Sequence, residues 1–397
     1  MNFNQSSKCW MATFTLMFLA GQVLAQSKIK TLAAQEIFAP QAEHTHGSSV
    51  VALPNGDMLA VWFQGSGERT ADDVRIMGSR KAKSAKTWSA PFLMADTPDI
   101  PDCNPVIFLN SKNELILVWI AVLGNQWEQS VLRTRRSRNY SKAGAPIWDW
   151  QDNILLKPGE EFVSEIQEKF KELPESRNGW SAYAPNYDKL TIEASKNPTY
   201  RSIGWMTRIK PLVLGEKIIL PLYSDGFNLS LMAISEDSGL TWKPSLPLVG
   251  RGPIQPALAQ RKNGEIVAML RDSGDGPNFI QQSISQDKGQ TWSAATKTAI
   301  PNTASVELLK LADGRWVMIG NDIHDGRYKL ALWVSTNEGL TWPKSPLYLE
   351  NDSTKEGGFS YPSVIQDTKG VIHLTYSSHT PAGKTIVYKS FNPDAIQ

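Results

Sequence analysis

SEDSGLTW at 235–242, SQDKGQTW at 285–292 and STNEGLTW at 335–342 align without gaps, and their tryptophans Trp242, Trp292 and Trp342 stand fifty residues apart. A period of that size marks a solenoid or a propeller. Each octet follows an alternating β-branched or aromatic run (LSLMAI, FIQQSI, LALWV) and consists of turn formers, so it reads as the corner between two strands. The Ser and the Asp or Asn side chains can bond local backbone amides, Gly supplies a left-handed turn residue, and Trp packs between neighbouring sheets.

A second element recurs upstream of the corners, a hairpin of the form apolar, turn, apolar. It appears at 51–62, 108–119, 213–223, 259–270, 309–320 and 365–376. Six hairpins predict an all-β fold, a six-bladed β-propeller whose small antiparallel sheets surround a central channel. Degenerate corners fit the early blades at Trp88 and near Trp148. The gap between the second and third hairpins is about twice the others, and residues 143–200 fill it. There GEEFVSEIQEKFKEL (159–173) has helical spacing and a Tyr-rich loop follows Pro174, which predicts a partly helical insertion between blades 2 and 3. Trp180, Tyr183 and Tyr187 in that loop are candidate parts of a lid.

Residues 1–25 place Lys8 before an apolar run from Trp10 to Ala20, with small or modest side chains up to Ala25. This is the layout of a cleaved signal peptide, and the run is too short for a span of about 20 residues. Cleavage near Ala25 leaves a single propeller domain at 26–397, secreted or periplasmic, with no membrane span in the mature chain. Cys103 is then the sole cysteine, so no internal disulfide is available. The 41 basic residues against 39 acidic ones exclude a phosphate-binding surface, and nucleic acid with it. A monomer is expected.

The S-x-D-x-G-x-T-W corners, the hairpins and the export signal resemble the bacterial sialidase superfamily, six-bladed propellers with Asp boxes, including its sialidase-like branch. The resemblance runs from about Glu36 to the C-terminus and implies a carboxylate-binding arginine triad. His46 occupies the place of the first arginine, ten residues before Gly56. Arg271, in NGEIVAMLRD, stands for the second, and Arg327, in HDGRYKLALWVS, for the third. Tyr361, in GGFSYPSVIQDTKG, matches the family's nucleophile. A neutral phenol suits that task because the anomeric carbon of a sialoside already bears a carboxylate, which repels an anionic nucleophile.

Two departures from the family stand out, the first being the imidazole of His46 where the family has a guanidinium. The glutamate that takes the phenol proton is replaced by Gln255, an amide that cannot accept it, and Glu307 on the following blade is the next candidate. The general acid falls on Asp72 or Asp73, of which Asp73 is preferred, with Glu68 beside it. From the residues themselves, Arg201, Trp205 and Arg208 in YRSIGWMTRIKP, with Asp225 and Asn228 in PLYSDGFN, interleave rings and charges as a sugar subsite does. A structural role is the plain alternative for each, and a metal reading of His44 and His46 lacks further ligand spacing.

The resemblance therefore implies an exo-glycosidase that hydrolyses a terminal acidic sugar, sialic acid or a related one, from a glycan and needs neither metal nor organic cofactor. The substitutions at His46 and Gln255 leave two alternatives open. One is a polysaccharide lyase acting on uronates, with His46, Tyr361 and Arg271 as its working groups; the other is a glycan-binding propeller without catalysis.

Overall fold

The computed structural model describes residues 29–174, 187–274 and 276–396; the expected signal segment lies outside them. Among the described residues no helix is long and apolar enough to cross a membrane. Six antiparallel sheets follow one another along the chain, as the fifty-residue period predicts. Blade 1 runs through His44–Ala52, Met58–Gly65, Arg75–Lys81 and Phe92–Ala95, and blade 2 through Asp102–Leu109, Leu115–Val122, Ser130–Ser137 and Trp150–Ile154. Blade 4 (Pro253–Gln260, Ile266–Asp272, Phe279–Ser285, Thr296–Pro301) and blade 5 (Glu307–Lys310, Trp316–Gly320, Lys329–Ser335, Leu347–Asn351) repeat this plan.

Blades 3 and 6 depart from it in ways that matter. In blade 3 the first strand is split into Met206–Thr207 and Leu212–Leu214, both paired with Lys217–Ser224, and the break releases Arg208 from the ladder. Blade 6 takes Gly358–Gln366, Ile372–Thr380 and Gly383–Phe391 from the end of the chain and its outer strand, Thr31–Glu36, from the beginning. That pairing closes the ring. Hydrogen bonds from Gly47 N to Ser377 Oγ (3.1 Å) and from Ser48 Oγ to Thr375 Oγ1 (3.0 Å) join blade 1 to blade 6. A closed ring brings loops from distant parts of the sequence around one axis.

Hydrophobic wedges between successive sheets hold the ring together. Ile219, Leu258 and Trp292 fill the space between blades 3 and 4, while Val317, Val364 and Leu374 fill that between blades 5 and 6. Because each sheet is covered on both faces, its inner strands read as nearly continuous apolar runs rather than alternating ones. The corners are held by side-chain hydrogen bonds. Asp237 accepts from the amides of Leu240 (3.0 Å) and Thr241 (2.9 Å) and from the hydroxyls of Thr241 (2.6 Å) and Ser235 (2.7 Å). Asp287 and Asn337 repeat the arrangement, and Gly239, at φ 93°, takes the left-handed turn.

The insertion contains the expected helix, Glu160–Glu172, and a second, Tyr187–Ser195, where a loop was expected. Phe162, Ile166 and Phe170 lie four residues apart on the buried face of the first. Tyr187 packs against Phe170 with ring centroids 6.0 Å apart, which explains why this tyrosine begins a helix and is buried rather than part of a lid. Trp180 and Tyr183 lie outside the described residues.

Candidate functional site

The innermost strands of blades 1, 2, 4 and 6 share a bulge at the end that faces the central mouth. Register slips between His46 and Ser49, Cys103 and Val106, Ile254 and Ala257, and Ser360 and Ser363. At each slip one residue has positive φ: Gly47 at 66°, Asn104 at 50°, Gln255 at 54° and Tyr361 at 58°. A left-handed residue costs about 1–2 kcal/mol when it carries a Cβ. Three blades accept that strain, and the side chains of Asn104, Gln255 and Tyr361 all line one cavity. At Gly47 a Cβ would stand 2.8 Å from Phe63 Cε1, so that position has no room for a side chain.

The cavity has a volume of about 290 Å³. His44, His46 and Glu68 enter it from blade 1, Tyr223 and Asp225 from blade 3, Gln255 and Arg271 from blade 4, and Tyr361 and His379 from blade 6. Arg327 reaches it from the loop before the third strand of blade 5. Arg271 Nη1 donates to the Tyr361 hydroxyl at 3.2 Å and Gln255 Nε2 donates to it at 3.4 Å. The Arg327 guanidinium lies 5.3 Å from the centroid of the Tyr361 ring. Burial pushes the Tyr361 phenol up, but Arg271 and Arg327, with the Gln255 hydrogen bond, outweigh it and leave the phenol below the usual tyrosine value.

Three imidazoles cluster beside Tyr361, and the His46 ring lies nearest to it. Ring centroids are 5.8 Å apart for His44 and His46, 5.2 Å for His46 and His379, and 5.7 Å for His44 and His379. Burial holds His44 down at about 4, with His379 and Lys384 adding to the effect, and it holds His46 well below its ordinary value, with Arg327 next in weight. Both are neutral at pH 7. His46 Nδ1, His44 Nε2 and Gln255 Oε1 are buried and, among the described residues, meet no hydrogen-bond partner. Such atoms cost free energy until a ligand or water pairs with them. Desolvation raises Glu68 above the usual carboxyl value, against the pull of Arg69, Arg327 and Arg271. It raises Asp225 too, with Arg271 opposing.

A family model for the BNR repeat-like domain matches residues 56–168 and 196–374. The chain belongs to the BNR repeat-like domain family. Solved structures show the same fold. A protein of unknown function from Dyadobacter fermentans DSM 18053 has a TM-score of 0.65 at 17% identity, covering 91% of this chain and 98% of that one. The NanB sialidase from Streptococcus pneumoniae, in complex with 2-[(3-chlorobenzyl)ammonio]ethanesulfonate, has a TM-score of 0.65 at 13% identity, covering 91% of this chain and 71% of that one. The intramolecular trans-sialidase from Ruminococcus gnavus, in complex with oseltamivir carboxylate, has a TM-score of 0.59 at 14% identity, covering 94% and 99%. No curated protein is significantly similar in sequence.

Within this BNR-repeat propeller the ring gathers His46, Arg271, Arg327, Tyr361, Gln255, Glu68 and Asp225, and it leaves out Asp72, Asp73, Glu307 and Arg208. Asp73 is exposed and turned away: it accepts from the Ser66 amide at 3.1 Å and the Ser66 hydroxyl at 2.8 Å, which ties down its own loop. Asp72 likewise accepts from Asn125 Nδ2 at 3.0 Å outside the cavity. Glu307 does not reach Tyr361, because it holds Lys210 at 3.0 Å beside a separate cleft between blades 3, 4 and 5. Arg208 lies under the tyrosine ring, off the cavity wall.

The interleaved 200–211 stretch packs instead of lining a subsite. Arg201 donates to Pro158 O at 2.8 Å and to Ser195 O at 3.1 Å, and Trp205 is buried with its indole N–H donating to Arg201 O. Asn104, Tyr223, Trp127 and His379 line the cavity without having been singled out from the sequence. Asn104 had a usable signal. Like Gly47, Gln255 and Tyr361, it stands nine residues before a turn residue of positive φ, here Asn113.

Proposed function

We propose that this protein is an exo-acting glycoside hydrolase that releases a terminal acidic sugar, sialic acid or a relative of it, from glycans outside the cytoplasm. The observation that carries the reading is the hydrogen bond from Arg271 to the Tyr361 phenol inside a mostly polar cavity that Arg327 also lines. Two guanidiniums suit a sugar carboxylate, since planar forks bind planar anions. The Tyr361 oxygen, its proton passing to solvent, attacks the anomeric carbon while the glycosidic bond breaks, and Glu68 gives its proton to the leaving oxygen. Water then attacks the same carbon, Glu68 takes up a proton from it, and the bond to Tyr361 opens, the tyrosine oxygen recovering its original state by exchange with solvent.

Glu68 fits the acid's task because desolvation lets it keep its proton to higher pH than an ordinary carboxyl. The neutral imidazole of His46, its ring centroid 4.1 Å from that of Tyr361 and its Nδ1 unpaired among the described residues, favours a second reading. That reading is a uronate lyase with His46 as base. Incubation with a panel of sialosides and uronate polysaccharides, read by mass spectrometry, separates the two. A saturated free acid sugar supports the hydrolase, an unsaturated uronide supports the lyase, and no product from any member overturns both.

A further inference from the structure

Arg208 is 2% exposed and projects from the break in the first strand of blade 3 across the axis. Its guanidinium donates to the carbonyls of Ser48 in blade 1 (3.2 Å) and Pro362 in blade 6 (3.1 Å). Among the described residues no carboxylate stands within ion-pair distance of it, and its Nε meets no acceptor. Glu307, the acid that acts on it electrostatically, is bonded to Lys210. What Arg208 does face is the ring of Tyr361, whose centroid is 4.7 Å from the guanidinium carbon. A buried cation without a carboxylate partner is costly, and a negative charge developing on the adjacent phenol relieves that cost.

We propose that Arg208 is a positioning residue that holds Tyr361 as a phenolate in the free protein, so that no general base is needed beside the phenol. The proton leaves to solvent before substrate binds, and the cations of Arg208, Arg271 and Arg327 around the phenolate offset the repulsion that a substrate carboxylate would otherwise meet there. This accounts for Gln255, whose amide donates to the phenol oxygen at 3.4 Å and so supports the charged form. It also gives the split strand of blade 3 a purpose: an unbroken ladder would keep Arg208 off the axis. The charged and titratable groups that face Tyr361 are Arg208 beneath it, Arg271 and Arg327 at the cavity, His46, Tyr223 and Glu68. The inference rests on Tyr361 as the reacting group, but its test needs no substrate.

The experiment is an ultraviolet titration of phenolate in the intact protein, with the Tyr361→Phe variant subtracted to isolate one tyrosine among ten. Tyr361 is expected to titrate below the other tyrosines, and Arg208→Gln to raise its midpoint by about 1–3 pH units. Arg208→Lys keeps the cation and should move the midpoint by less than about one unit. A Gln variant that folds, by circular dichroism, with an unshifted midpoint overturns the proposal, as does an unperturbed Tyr361 in the native chain. Should the Gln variant not fold, the Lys variant decides, since a rise above about one unit there also overturns it. A low midpoint raised by Arg208→Gln, in a protein that turns over no glycan, keeps this inference and removes the hydrolase reading. Turnover with an unperturbed Tyr361 does the reverse.

Discussion

Arg271 Nη1 and the Tyr361 hydroxyl, ninety residues apart in sequence, meet at 3.2 Å. The contact joins the second strand of blade 4 to the first strand of blade 6, so it depends on closure of the ring by Thr31–Glu36. Tyr361 itself sits at φ 58°, a conformation that aims its ring into the cavity rather than along the sheet. Removal of the hydroxyl in Tyr361→Phe is expected to lower kcat by about 10³-fold or more while leaving the unfolding midpoint nearly unchanged. Steady-state kinetics and urea melts check both halves.

Arg271 and Arg327 both reach the cavity, and among the described residues neither forms an ion pair with a carboxylate there. Each is free to meet an anionic ligand. Arg271→Ala and Arg327→Ala should each reduce kcat/KM by about 10- to 100-fold, the loss of one charged hydrogen bond. For Arg327 the loss should fall mainly on KM, because among the described residues it donates to Ser360 Oγ (3.4 Å) and not, as Arg271 does, to the reacting Tyr361 oxygen. Binding of an acid sugar by calorimetry, compared with the corresponding neutral sugar, reads the same effect without turnover.

Glu68 lines the cavity and Asp73 does not. Glu68→Gln should therefore slow release of poor leaving groups by about 10²–10⁴-fold and spare activated aryl glycosides, which need no proton. Asp73→Asn should leave both rates within about threefold of the native protein. Paired measurements with an alkyl and a nitrophenyl glycoside of the same sugar separate the two residues.

The corners titrate. Burial raises the Asp237 carboxyl, but hydrogen bonds from Thr241 and Ser235 outweigh it and hold the group at about 2, below its ordinary 3.8. A depressed carboxyl contributes stability that is fully present above the unfolded value and lost as pH falls through the folded one. The loss should thus occur between pH 3.8 and about 2. Asp237→Ala is expected to cost about 1–2 kcal/mol at pH 7. Asp237→Asn should cost less, since Asn337 already does the same work in blade 5, accepting from the Thr341 amide at 3.0 Å and donating to its hydroxyl at 2.8 Å. Urea midpoints at pH 7 and pH 2.5 test the series.

Gly47 is the bulge residue without a side chain. Gly47→Ala combines φ 66° with a Cβ 2.8 Å from Phe63 Cε1, so it should destabilise the fold by about 1–3 kcal/mol. Phe63 packs against His44 and His46, with centroids 5.7 Å and 5.9 Å away, and its displacement should also weaken ligand binding. Thermal melts and ligand titration on one preparation record both losses.

The blades were legible because their causes are local. Turn chemistry at Ser235, Asp237 and Gly239 recurs with a fixed period, and apolar hairpins recur with it, so repeat number and strand order follow without any long-range information. Even the bulges had a trace, the constant spacing from Gln255 to Gly264 and from Tyr361 to Gly370. Only the closed ring decided which charged groups share the cavity. Glu68 and Asp73 belong to one loop, and their fates differ because Asp73 is spent on Ser66. Arg208 and Arg271 read alike in sequence, yet one lies beneath the Tyr361 ring and the other bonds its oxygen. A repeat encodes each blade separately, whereas a site on the axis is set by where every blade's inner edge stops, and that is a property of the whole circle.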